Sequence, residues 1–125
     1  MRKVARLLFA ILAALLLLSV AAQTFFAGMG VFGDGSGWKL HTVFVAYFDK
    51  LALVMFVLSF AGGIRGWLRW LSLIVFAMIS MQYVTVHMFA EQWMIAAFHP
   101  VNALLVFWAT LHLCRRSWVW LRMAA

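Results

Sequence analysis

The residues able to do chemistry stand out from apolar surroundings: His41, His87, His99 and His112, with Gln23, Gln82, Asn102, Asp49 and Lys50. Depth can be read at about 1.5 Å per residue from the ends of the apolar runs. His41, His87 and His99 then form an outer layer, Gln23, Gln82, Asp49 and Asn102 a deeper one, and His112 lies toward the opposite end. Ionisable groups at such depth are costly, so each calls for a reason. Helical angle sorts them further. His41 shares a broad face with Val45, Phe48 and Asp49, whereas Lys50 is expected to point the other way. His99 and Asn102 share a face. His87 lines up with Ser80, Tyr83 and Glu91, but Gln82 with Met78, Thr85 and Phe89, so only one of the two reaches the bundle axis. Gln82 is favoured, because its spacing to His99 repeats that of Gln23 to His41 with one residue fewer.

Three uses of these residues compete. A b-type haem in a membrane needs axial imidazoles at one depth on facing helices. His41 and His99 meet that need as metal ligands, with Gln23, Gln82, Asn102 and His87 around them. Gly28 and Gly30 would admit a flat ring, lined by Phe26, Met29 and Phe89. Membrane electron transfer is the function this implies. Copper is a second use, since thioethers and imidazoles suit Cu(I) and Met29, Met81, Met88 and Met94 lie near the histidines. No Met-x-Met or His-x-His cluster is present, and methionine is a common filler of apolar space. The third use involves no chemistry. Lys50, in mid-helix beside Asp49, asks for a partner carboxylate in a larger complex or a second copy, and the chain is then an accessory subunit. Small residues along the first run (Ala10, Ala14, Ser19, Ala22, Ala27 and Gly30) suit close helix contact. A small transporter with Asp49 as its proton-responsive group is a further alternative. The blandest reading has the histidines capping helix ends and bonding water or headgroups. Phosphate-cradling loops, nucleophile elbows and zinc-protease helices are missing from the sequence, so the chain reads more readily as a non-enzyme.

The elements that must position these residues follow from composition. Of 125 residues 68% are hydrophobic and 10% charged, with a mean hydropathy of +1.05. A soluble domain is nearer half apolar and a quarter charged, and a chain this short cannot bury the surplus. Four runs, at about 4–32, 40–61, 67–89 and 95–113, are near or above the roughly 20 residues that cross a bilayer. With short connections at 33–37, 62–66 and 90–94, they predict an all-α, up-down-up-down bundle of four transmembrane helices in a single domain, 1–125. A short interfacial helix is expected at 117–125, with Trp118, Trp120 and Leu121 toward lipid.

Net charge is +7, but the basic residues lie between apolar runs rather than on one nucleic-acid-binding face. Arg2, Lys3, Arg6, Arg65, Arg69, Arg115, Arg116 and Arg122 fall on one side, against Lys39 with Asp34 and Glu91 on the other. That asymmetry predicts cytoplasmic termini in a bacterial cell membrane. Residues 1–23 also read as a signal peptide, with Val20-Ala21-Ala22 as its cleavage site. The apolar run continues to Phe32, which favours a retained span. Cys114 is the single cysteine and excludes an intramolecular disulfide.

The segments 23–41 and 82–99 read as a parallel repeat of two hairpins. Gln23 with Gly28 and Gly30, His41 at the start of the second helix, Gln82 in the third, and His99-Pro100-Val101-Asn102-Ala103 opening the fourth make a pattern. In these residues the chain resembles a family of small uncharacterised bacterial four-helix membrane proteins, a resemblance that implies the fold and no activity. More loosely, it is similar to haem-binding four-helix membrane modules such as cytochrome b561 and the halves of haem A synthase, which implies paired histidine ligands.

Overall fold

Long apolar runs form helices because a backbone in lipid must satisfy its own hydrogen bonds, and the single proline, Pro100, lies in the first turn of its helix, where it is tolerated. The computed structural model describes residues 1–122 and places them in α1 (Arg2–Phe32), α2 (Ser36–Phe48), α3 (Leu51–Ala61), α4 (Trp67–His87), α5 (Trp93–Ala96) and α6 (Phe98–Arg122). Taken as spans, α1, α2 with α3, α4, and α5 with α6 give four helices long and apolar enough to cross a membrane. The chain is a multi-pass, all-α four-helix bundle. In it α1 packs against α2, α3 and α6, and α4 packs against α3 and α6. Hence α1 lies diagonal to α4, and the second span diagonal to the fourth.

Buried positions recur every three or four residues, the period of one helix face. Ala5, Phe9, Ala13, Leu16 and Val20 line α1; Leu68, Ser72, Val75 and Ile79 line α4; Val106, Thr110, Leu113 and Ser117 line α6. Small hydroxyl residues thicken this seam. Ser59, Ser72, Thr110 and Ser117 each donate to the carbonyl three residues back, at 2.6, 2.6, 2.9 and 2.7 Å. Bonded within their own helices, they cost no interhelical partner and let backbones approach closely.

The start of α1 and the end of α6 lie at one end of the bundle, its terminus-bearing end. There Arg6 Nε donates to Gly62 O at 2.8 Å, its guanidinium 5.3 Å from the Trp120 ring centroid. Arg69 donates twice to Ile64 O, at 3.1 and 2.8 Å, and sits over Phe60. At the other end Gly35, with φ +87°, turns the chain into α2. Hydrogen bonds from the Ser36 hydroxyl and amide hold the Asp34 carboxyl below its usual range.

Three boundaries differ from expectation. The third span stops at His87 rather than Phe89, because the chain turns where the Gln92 amide bonds Phe89 O at 3.1 Å. The expected interfacial tail is not separate: α6 runs unbroken through Ser117 to Arg122, and positions 123–125 lie outside the described residues. No glycine or proline intervenes to stop it, Ser117 is buried, and Trp120 turns inward against the core instead of toward lipid. The second span is interrupted at Asp49–Lys50. The Asp49 amide still reaches Val45 O and Lys50 O still accepts from Val54, but the Lys50 amide has no backbone partner among the described residues.

Candidate functional site

Near the acidic turns, the end of the bundle away from the chain termini, the polar residues assemble in two matching clasps. In the first, Gln23 on α1 donates through Nε2 to His41 O on α2 at 2.7 Å, and His41 Nδ1 returns a bond to Gln23 O at 2.9 Å. A carbonyl only accepts, so Nδ1 carries the ring proton and the neutral imidazole keeps its lone pair on Nε2. In the second, Gln82 on α4 faces His99 on α6. With its amide turned to match donors to acceptors, the nitrogen donates to His99 O at 3.1 Å and the oxygen accepts from the Ala103 amide at 3.1 Å. His99 Nδ1 lies 3.3 Å from Gln82 O and 3.2 Å from Thr85 Oγ1. The Gln82 nitrogen is also 3.1 Å from Nδ1, so this ring can hold its proton on either nitrogen, whereas His41 is fixed.

Each clasp joins adjacent spans, and its histidine lies on one of the two diagonal spans, so the clasps bring the two imidazoles together, ring centroids 6.2 Å apart and planes inclined by 58°. Both rings are half-buried. Trp38 meets His41 edge-on at 6.0 Å, and Phe26 meets Phe44 at 5.2 Å. One polar atom is left over: Gln23 Oε1 is buried with no hydrogen-bond partner among the described residues. Its counterpart in Gln82 has the Ala103 amide; this one has no donor.

The glycines act differently from expectation. The recess at Gly30 is filled by the Trp38 indole, which a Cβ there would meet at 2.6 Å, so it does not stand open to another flat ring. Gly37 lies against the backbone of Met29 and Gly30, and a Cβ on it would meet Met29 C at 2.6 Å. This close approach seats α2 on α1 and sets the depth of His41. Gly28 has open space.

Other predicted residues fall elsewhere. Asn102 donates to Met78 O at 2.8 Å and ties α6 to α4 about a turn deeper than the pair. His87 is exposed and stacks on Tyr83 at 6.3 Å, outside the cluster, because Gln82 takes the inward face of α4. Lys50 does not point away from Asp49. The helix break frees it from regular helical angle, and its Nζ reaches both Asp49 oxygens at 3.0 Å. Tyr83 Oη approaches Asp49 Oδ2 at 3.4 Å. Met88 and Met94 are exposed. Among the described residues, no group of three or more His, Cys, Asp or Glu side chains could hold a metal ion. Sequence reasoning did not assign Trp38 or Thr85 to the site, although Thr85 shares the face of Gln82. Trp38 carried a signal, three residues before His41 and directly after Gly37.

No curated protein matches the chain, and no solved structure does. A match to a known family does exist over residues 23–89, which begins at Gln23, takes in His41, Asp49 and Gln82, and stops short of His99. Because that stretch is more than half of the chain, the protein belongs to DUF6220, a family of unknown function.

Proposed function

We propose that the protein binds haem between His41 and His99 and takes part in membrane electron transfer. The observation that supports this reading is the pair of imidazoles brought together across the bundle, 6.2 Å between centroids. Imidazole nitrogens bind metals at about 2.0–2.1 Å, so two rings on one metal have centroids roughly 6 Å apart. A bare tetrahedral ion would ask for four protein donors, but here two imidazoles stand alone among the described residues. Haem, whose ring supplies the remaining nitrogens, would ask for two. When bound, haem supplies one-electron redox chemistry. His41 and His99 would hold it; Gln23 O keeps the proton on His41 Nδ1 and so leaves the Nε2 lone pair free. Trp38 shields one side of His41. The eight basic residues at the terminus-bearing end support cytoplasmic termini in a bacterial cell membrane, with the clasps toward the far side.

The test is an absorption spectrum of protein purified in mild detergent from native membranes, before and after dithionite. A Soret band with sharpened reduced α and β bands, lost in His41→Ala and in His99→Ala, is the expected result. A featureless spectrum at full haem supply sinks the reading.

A second reading, an accessory subunit of a larger membrane complex, draws support from Lys50. Its side chain is 74% exposed at the middle of a span, where a carboxylate on a neighbouring helix would meet it.

A further inference from the structure

The end of the bundle that carries the chain termini is rich in arginine, and its arginines divide into two kinds. Arg6 and Arg69 are committed to the carbonyls of Gly62 and Ile64, where they tie the turn between α3 and α4. Arg65, Arg115 and Arg116 make no hydrogen bond and no salt bridge among the described residues. These three line two adjoining cavities of about 220 and 390 Å³. Arg65, Trp67 and Trp120 belong to the first, Trp108, Leu111 and Arg115 to the second. His112, Arg116 and Val119 form the wall between them.

No carboxylate of the described residues lies near to balance this charge. Asp34 and Glu91 are in the turns at the opposite end, and Asp49 is in mid-span with Lys50. The grooves run along helices whose outer faces are apolar; Trp67, 63% exposed, stands at the start of α4, and Trp108, 65% exposed, lies about two turns deeper along α6 than Arg115. Tryptophan at the end of a span marks the headgroup level, and basic pockets between helices there take phosphate headgroups. An occupant must therefore carry negative charge at one end and apolar chain along the helix faces.

We propose that this double groove binds an anionic phospholipid with two phosphates, one on each side of the Arg116–His112 wall. Arg65 serves the first phosphate, Arg115 the second, and Arg116 both. Trp67 flanks the glycerol region, and the acyl chains lie past Trp108 against α4 and α6. The site is independent of the histidine pair at the other end.

Native mass spectrometry of the full chain in detergent, titrated with diphosphatidylglycerol, phosphatidylglycerol, phosphatidylcholine or inorganic pyrophosphate, tests the assignment. Diphosphatidylglycerol is expected to bind tightest, phosphatidylglycerol next and phosphatidylcholine least. Each of Arg65→Gln, Arg115→Gln and Arg116→Gln is expected to weaken diphosphatidylglycerol binding about fivefold, and Lys39→Gln at the far end to leave it unchanged. All three arginines are exposed, and Arg65 lies in a turn, so at least that variant keeps the helices intact. Equal binding of phosphatidylcholine, or unchanged binding in the arginine variants, overturns the site. Equal binding of the one-phosphate and two-phosphate lipids overturns the double seating. Pyrophosphate displacing the lipid at equal concentration makes the ligand a soluble anion and overturns the lipid assignment.

Discussion

Gln23 and Gln82 occupy matching places, yet they are bonded unequally. Gln82 both donates and accepts, whereas Gln23 donates and leaves Oε1 buried without a partner. Interhelical hydrogen bonds in membranes are worth about 0.6 kcal/mol on average and at most about 1.7. A buried unsatisfied acceptor costs about 1–3 kcal/mol. Gln82→Leu loses bonds with nothing in return, but Gln23→Leu also removes the orphan oxygen. Gln82→Leu is therefore expected to lower stability in detergent by about 1 kcal/mol more than Gln23→Leu. Thermal unfolding followed by circular dichroism measures the difference, and equal losses would contradict the assignment of the orphan atom.

The helices fit together where glycine removes side chains, and the three glycines around the first turn predict three different outcomes. Gly28 sits in a helix with nothing within 4 Å, so Gly28→Ala should gain up to about 1 kcal/mol from helix propensity. Gly30→Ala pushes on the Trp38 indole, a side chain 47% exposed, at a cost of about 1 kcal/mol; Gly37→Ala pushes on backbone, at about 3. Denaturation midpoints of the three variants check the order, and a stabilised Gly37→Ala would refute the close approach of α1 and α2. Much of this architecture was legible beforehand. The four runs predicted the spans because lipid leaves a long apolar segment no structure but a helix. The matched spacing of Gln23–His41 and Gln82–His99 pointed to the residues that meet. What stayed hidden had local causes. Arg115 and Arg116 resemble a membrane boundary, but long side chains can reach the interface from a helix that continues, and α6 does continue. Regular helical angle misplaced Lys50 because the ladder breaks beside it. Bonds from glutamine to backbone carbonyls leave no trace in residue types, and composition does not say which aromatic ring fills the recess at Gly30.

Across the whole molecule, two similar hairpins differ most at the centre of the membrane. The second span carries the Asp49–Lys50 pair at its interruption, and the fourth runs on unbroken from Phe98. Asp49 is largely shielded, with its side chain 18% exposed. Removing the lysine alone leaves a carboxylate with one long contact from Tyr83, whereas neutralising both leaves no charge to stabilise. Lys50→Met is expected to cost about 3 kcal/mol, and Asp49→Asn with Lys50→Met far less. If Lys50 also holds a partner, the double variant stays folded but loses the proteins that co-purify with wild type. A single variant as stable as the double would show that the pair does not couple. The same pair bears on biogenesis. The first segment is the most apolar of the four and carries no charge from Leu7 to Phe32, so it can leave the translocon for lipid unaided. The second arrives with two charges at its centre, each penalised during insertion by about 2.5–3.5 kcal/mol. Its first half is the part that Gln23 and Gly37 fasten to the segment already in place. The first helix thus serves the second as a scaffold for entry, and the hairpin, rather than the single helix, is the unit that the membrane accepts.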